Sequence, residues 1–253
     1  MRKERGKRGA ERPRSAPERG RSEVLYGRNP VREALRAGRR RVQRVWATSG
    51  AAREPWLAGA RVEVVPAAEV AARCGSDAHQ GLCAEADPYP YAGARELLAR
   101  DAPLLVALDQ VQDPQNLGAI ARTAEAAGAA GLIVPERRSA DVTPAAAKAS
   151  AGAVEHLPVA RVRNLADFLA DAKAAGCWCY GADGSGTARY DEPDYTGGVV
   201  LVVGAEGKGI RPRVAAACDA IVAIPLHGRV ESLNVSAAAA IILFEISRCR
   251  GFA

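Results

Sequence analysis

Three polar segments, each following an apolar run that suits a buried strand, hold the residues best placed for chemistry. The first leaves Leu104–Leu108 as a polar loop and enters a helix at Asn116, continuing to Arg122. At about 100° per residue, Leu117, Ile120, Ala121 and Ala124 share one helix face and Arg122 falls roughly opposite it. An arginine so placed is either simply solvated or a guanidinium offered to a phosphate or ribose oxygen. The second segment is Gly204-Ala205-Glu206-Gly207-Lys208-Gly209, directly after Val199–Val203. Glycines there let the backbone turn sharply and approach a ligand closely.

Two familiar glycine motifs fail on this second segment. A phosphate-binding P-loop needs glycine where Val202 stands and Ser or Thr where Gly209 stands. A dinucleotide fingerprint needs G-x-G-x-x-G, whereas the run is G-x-x-G-x-G, which removes the support for a nucleotide-dependent oxidoreductase. A plain strand-to-helix turn remains open, although Glu206 is unusual inside one. The third segment, Ile224 to Ser236, passes through His227 and then Ser232 and Asn234 into a final helix. Ser232 or Asn234 can cap that helix and still have a functional role. His227 has no local carboxylate to orient it as a general base. HExxH and GxSxG are both missing from the sequence, so a zinc protease or serine hydrolase has no support.

The elements that must position these segments fall into two groups. Residues 23–92 are expected to form a small α/β domain. It has a helix starting at Asn29-Pro30 and stopping at Gly38, strands near Val42–Ala47, Val62–Val65 and Gly81–Ala86, and a helix near Ala67–Ala72. Residues 93–101 are expected to be a linker or linking helix. From 102 to 253 the apolar runs Leu104–Leu108, Gly131–Val134 and Val199–Val203 suit strands buried on both faces of a parallel sheet. Helices expected over Asn116–Ala127, Pro144–Ala151, Asn164–Ala175 and Arg211–Ala217 would cover it, giving an open α/β fold with ligands at the strands' carboxyl ends. The last helix, about Asn234 to Arg248, is apolar nearly all round and needs partners on more than one side; a dimer interface is the expectation.

Charge points to the partner. Of the 253 residues 48% are hydrophobic, enough for a substantial core, yet the net charge of +6 is carried entirely by residues 1–22. That tail, expected to be disordered, lacks the apolar segment of a secretory signal, and Glu4, Glu11 and Glu18 count against a transit peptide. A second basic block follows at Arg28, Arg32, Arg36, Arg39, Arg40, Arg41 and Arg44, against Glu33 alone. Adjacent basic blocks favour a polyanion, nucleic acid first, over a merely solvated face. The six cysteines have no framework spacing, and Cys177 and Cys179, on one face of a strand, lack a second pair to complete a zinc site. A cytoplasmic protein with free thiols, no metal and no membrane span is expected.

Taken together, NLGAIAR (Asn116 to Arg122), GAEGKG (Gly204 to Gly209) and IPLHGRVESLNVSAAAAIILFE (Ile224 to Glu245) resemble, in that order, the three motifs of the SpoU/TrmH group of SPOUT methyltransferases. YGRNPVREAL and HQGLCAE further resemble the ribosomal-protein-like substrate domain of the subgroup acting on guanosine of 23S ribosomal RNA. The resemblance implies a trefoil-knotted SPOUT domain, an obligate homodimer, S-adenosylmethionine as cofactor, and methyl transfer to a ribose 2′-hydroxyl. It implies that Gly204, Ile224, Leu226 and Leu233 contact the cofactor, while Asn116, Arg122, Glu206, Ser232 and Asn234 line the reacting side. Arg122 beside the developing oxyanion is the candidate to stabilise it. Transfer RNA, another ribosomal site, and a catalytically silent ribosome-assembly protein are the alternatives.

Overall fold

A computed structural model describes residues 22–251, so the expected disorder of the basic tail lies, except at Ser22, outside the described residues. A small sheet comprises β1 (Glu23–Tyr26), β2 (Val42–Ala47), β3 (Val62–Val64) and β4 (Leu82–Ala86), ordered β1-β4-β2-β3. Helices α1 (Arg28–Ala37) and α2 (Ala67–Cys74) accompany it. As expected, α1 stops at Gly38, whose φ of 60° suits glycine at a helix end. Its start differs. Gly27 is the cap, and Asn29 and Pro30 lie in the first turn, where proline's missing N–H goes unneeded.

Seven parallel strands form the large sheet: β5 (Leu104–Asp109), β6 (Gly131–Pro135), β7 (Val159–Val162), β8 (Cys177–Ala182), β9 (Ala188–Arg189), β10 (Gly198–Gly204) and β11 (Ala220–Ala223). Their order is β7-β6-β5-β10-β8-β11-β9. Helices α3 (Ala94–Leu98), α4 (Pro114–Ala126), α5 (Pro144–Ala149), α6 (Leu165–Ala174), α7 (Pro212–Ala215) and α8 (Val235–Cys249) complete the chain. The central strands are buried on both faces. Leu104, Val106, Leu108, Leu201 and Val203 join the core that includes α4, α5 and α8, while Leu105, Ala107, Val200 and Val202 join the core with α6 and α7. Where α4 crosses α5, a side chain on Gly118 would sit 2.6 Å from the Ala146 carbonyl, so only glycine permits that approach.

The two sheets are joined by packing and by charge. One apolar cluster runs from Leu25, Val31 and Ala84 of the small domain to Leu117, Ala147 and Val154 of the large one. At its edge the Arg40 guanidinium, 1% exposed, pairs with Glu155, also 1% exposed, and with Glu23. Its Nε donates to Glu155 Oε2 at 3.0 Å. Arg39 donates to the Tyr89 hydroxyl and the Pro90 carbonyl. The expected RNA-facing role of Arg40 is therefore corrected. Its charge is consumed inside the domain junction by a carboxylate 115 residues away, a partner no local charge count can reveal. Arg39 is likewise turned inward, half-buried against Tyr89 and the carbonyls beside it.

Candidate active site

The site lies at the carboxyl ends of β5, β10, β8 and β11, beside the point where chain order reverses across β5 and β10. That is where open α/β sheets bind ligands. Asp109 ends β5 directly opposite Gly204, which ends β10. Asp113 then caps α4 by accepting the Gln115 N–H at 2.9 Å, with Pro114 in the first turn. Asn116 thus lies within the first turn of α4, not at its start as the sequence suggested. Asn234 caps α8, accepting the Ser236 N–H at 2.9 Å and its hydroxyl at 2.6 Å.

These two helix starts meet. Asn234 Nδ2 donates to Asn116 Oδ1 at 3.1 Å, and Asn116 Nδ2 donates to Glu206 Oε2 at 3.4 Å. The three sequence segments are thereby tied into one chain of polar groups, although 118 and 90 residues separate its middle member, Asn116, from Asn234 and Glu206. Beside it opens a cleft of about 380 Å³ lined by Gly204, Glu206, Ile224, Leu226, Ser232 and Leu233, among others. Its size is within the range of small-molecule sites. Leu226 and Leu233 remain 41% and 40% exposed there, apolar surface available to a ligand. Arg122 is exposed on α4, does not line the cleft, and has no ion-pair or hydrogen-bond partner among the described residues.

Two supports of the glycine loop were not anticipated from sequence. Buried Asp109 accepts the Arg211 backbone N–H and Nε, each at 2.8 Å, pinning the far end of the loop to β5. Asp183, just after β8, lines the cleft; its Oδ1 accepts from Ser185 and its Oδ2 accepts the Ile210 N–H at 3.3 Å. Burial, the largest influence, pushes the Asp183 pKa up, but these hydrogen bonds outweigh it and hold the carboxyl below its ordinary value. The signal for Asp183 was present, a polar Asp-Gly-Ser-Gly run leaving a buried strand, but that composition also describes any turn.

Gly204 tests whether the cleft fits a cofactor. A side chain there would fall 2.2 Å from the Gly209 carbonyl, because Ala205 and Gly209 exchange two backbone hydrogen bonds across the tight loop. The backbone therefore forms one wall of the cleft without side chains, and apolar groups of the 224–233 loop face it. Such a cradle suits the flat, partly apolar adenosine of S-adenosylmethionine. Among the described residues no cluster of three His, Cys, Asp or Glu could hold a metal.

On the small domain, the His79-Gln80-Gly81 turn meets the start of α1. Gln80 Oε1 accepts from the Arg28 N–H at 3.0 Å and from Lys148 Nζ of α5 at 2.9 Å. Gln80 and Lys148 are further residues the sequence reading did not single out. Of the expected RNA contacts, Arg28 pairs with Glu54, Arg32 and Arg36 pair with Glu33, and the Arg41 side chain has no partner among the described residues, on an exposed residue whose carbonyl accepts the Asp87 N–H.

Sheet order, polar chain and glycine-walled cleft define an α/β protein with a cleft of small-molecule size at its topological switch point. Residues 103–244 match the SpoU rRNA Methylase family, and residues 24–92 match the RNA 2′-O ribose methyltransferase substrate binding family. A protein of Mycolicibacterium vanbaalenii named a tRNA/rRNA methyltransferase is 41% identical, over 97% of this chain and 83% of its own. The SpoU methyltransferase AviRb of Streptomyces viridochromogenes, solved with AdoMet, superposes with a TM-score of 0.77 at 28% identity, covering 90% of each chain. An AdoMet-bound rRNA methyltransferase of Sinorhizobium meliloti gives 0.76 at 31% identity, covering 90% of this chain and 87% of its own. A TrmH/SpoU tRNA modifying enzyme of A. aeolicus gives 0.53 at 32% identity but covers only 62% of this chain. The chain belongs to the SpoU methylase family of RNA methyltransferases, with the SPOUT fold and S-adenosylmethionine as its cofactor.

Proposed function

We propose that this protein methylates the ribose 2′-hydroxyl of a guanosine in 23S ribosomal RNA. The observation that carries the reading is the Asn234–Asn116–Glu206 chain beside the Gly204 cleft, because it sets a reacting side next to a cofactor side. Bound S-adenosylmethionine supplies a methyl already activated on a sulfonium, so the protein's share is alignment and the management of one proton. Gly204, Ile224, Leu226 and Leu233 hold the cofactor. Asn116, Glu206, Ser232 and Asn234 orient the ribose. Arg122, whose guanidinium is not spent on a neighbour, stabilises the developing alkoxide and the adjacent phosphate.

The choice of RNA is supported by the small domain. Among the neighbours that cover about 90% of the chain are a SpoU methyltransferase and an rRNA methyltransferase, whereas the tRNA enzyme of A. aeolicus covers only 62%. The proposed division is 23–92 for RNA binding, 93–101 as linker and 102–253 for catalysis, with a knotted chain path through the last of these. Ile241 and Phe244, 38% and 54% exposed on α8, support a homodimer through that helix. A cytoplasmic site of action is proposed from the RNA substrate; among the described residues no helix is long and apolar enough to cross a membrane.

Incubation with labelled S-adenosylmethionine and separate ribosomal and transfer RNA pools tests the reading, followed by mapping of the labelled nucleotide. Label in a 2′-O-methylguanosine of 23S RNA is the expected result. Label confined to transfer RNA would move the substrate, and label in neither pool would favour the silent assembly protein.

A further inference from the structure

The basic block of the small domain divides in space. Arg39 and Arg40 are spent on the junction with the large domain. Arg36 and Arg44 instead line a cleft of about 490 Å³, and they are joined there by Arg61, which lies well outside the basic run. The cleft floor includes Leu35, Val42 and Trp56, each half-buried and packed on the main core. Arg36 and Arg61 are exposed. Arg36 has a long ion pair to Glu33 at 3.5 Å, Arg44 has one to Glu63 at 3.6 Å and lies 5.8 Å from the Trp46 ring centroid, and Arg61 has no ion pair among the described residues.

Three guanidiniums around an apolar, tryptophan-containing floor match a nucleotide in chemistry. A base covers the indole, and the flanking phosphates neutralise the rim. Weak exposed ion pairs exchange readily for phosphate, because they contribute little in water. The Trp56 indole N–H donates to Glu54 Oε2 at 3.0 Å, which fixes the ring from its edge. We infer that this cleft is a second RNA subsite, taking a single-stranded nucleotide remote from the one that reacts. The inference rests on the RNA-methyltransferase reading but assigns a site outside the cofactor cleft and its polar chain.

Binding of a short fluorescein-labelled single-stranded RNA to the full chain, by anisotropy across salt concentrations, tests the subsite. Arg61→Glu is expected to weaken binding about tenfold and to lower the salt slope by about one. Trp56→Ala is expected to weaken it by a similar factor with little change in slope, and Trp56→Phe to restore most of it. Arg100→Glu serves as the charge control, on the loop before β5 at the opposite end of that strand from Asn116. Equal behaviour of Arg61→Glu and Arg100→Glu would overturn the inference. So would loss of RNA binding in Arg61→Glu with Trp56→Ala fully active in binding and poly-glutamate competing as well as RNA, which would make the cleft a site for an acidic protein. Thermal melts of each variant separate misfolding from lost contact, with Trp56→Phe keeping the stacking test available if Trp56→Ala fails to fold. Methyl transfer by the unaltered protein is scored separately, so failure of the catalytic reading and failure of the subsite give different results.

Discussion

Asn234 uses both ends of its amide: Oδ1 caps α8 through Ser236, while Nδ2 donates to Asn116 Oδ1 at 3.1 Å. A residue that ends the 224–233 loop therefore also contacts the first turn of α4. The two tasks can be separated by substitution. Asn234→Asp keeps the capping oxygen and loses the amide donor, so its melting temperature should stay near that of the parent while kcat falls by about tenfold or more. Asn234→Ala should show the same kinetic loss together with about 1 kcal/mol of destabilisation. Equal kcat in the aspartate variant and the parent would show that the Asn116 contact has no part in turnover.

Gly204 is expected to be intolerant of even one methyl group. Alanine there would sit 2.2 Å from the Gly209 backbone, and neither strand end nor loop is free to move, since Arg211 is held by buried Asp109. Calorimetry should find S-adenosylmethionine affinity of Gly204→Ala reduced by about a hundredfold, with the fold retained by circular dichroism. Parent-like affinity would mean that the loop wall is not part of the cofactor site.

The central sheet could be read from sequence because Leu104–Leu108 and Val199–Val203 are apolar at every position, and that continuity has few explanations other than burial on both faces. The meeting of Asn116, Glu206 and Asn234 could not be read in the same way; resemblance alone grouped them, since 90 and 118 residues separate Asn116 from its partners. Local pattern also misplaced the start of α4, which Asp113-Pro114 sets ahead of Asn116. Arg40 shows the opposite limit. Its neighbours in sequence are basic, and its true environment is the pair of carboxylates from Glu23 and Glu155.

Arg122→Ala should abolish most transfer, by about 10²–10³-fold in kcat, and leave S-adenosylmethionine affinity nearly unchanged. The side chain neither lines the cofactor cleft nor has a partner among the described residues, so its loss should also leave stability within about 0.5 kcal/mol of the parent. Turnover retained in a folded Arg122→Ala protein would remove the residue from the mechanism.

The Arg40–Glu155 pair should behave as a buried ion pair does. Removing one partner, in Arg40→Met or Glu155→Leu, leaves charge in the junction short of its complement, although Glu23 still faces Arg40 in the second variant, and should cost about 3–5 kcal/mol, measured by urea unfolding. The double variant Arg40→Met/Glu155→Leu should recover much of that loss. Additive losses in the double variant would show that the two side chains do not act as a pair.

Acid should loosen the glycine loop before it unfolds the sheet. Asp183 is held below its ordinary carboxylate pKa in the folded state by the Ser185 and Ile210 donors, against the pull of burial. A depressed folded pKa contributes stability that is complete above the unfolded value, about 3.9, and is lost as pH falls through the lower folded value. Protonation would turn an acceptor for Ile210 N–H into a competing donor, freeing the segment that follows Gly209. S-adenosylmethionine affinity should therefore hold down to the ordinary carboxylate range and decline only as pH falls below it, through the lowered folded value of Asp183. Asp183→Asn should show weakened binding already at neutral pH and less further decline in acid. If the asparagine variant retained both the affinity and the acid response of the parent, the loop would be held by Asp109 and Arg211 without help from Asp183.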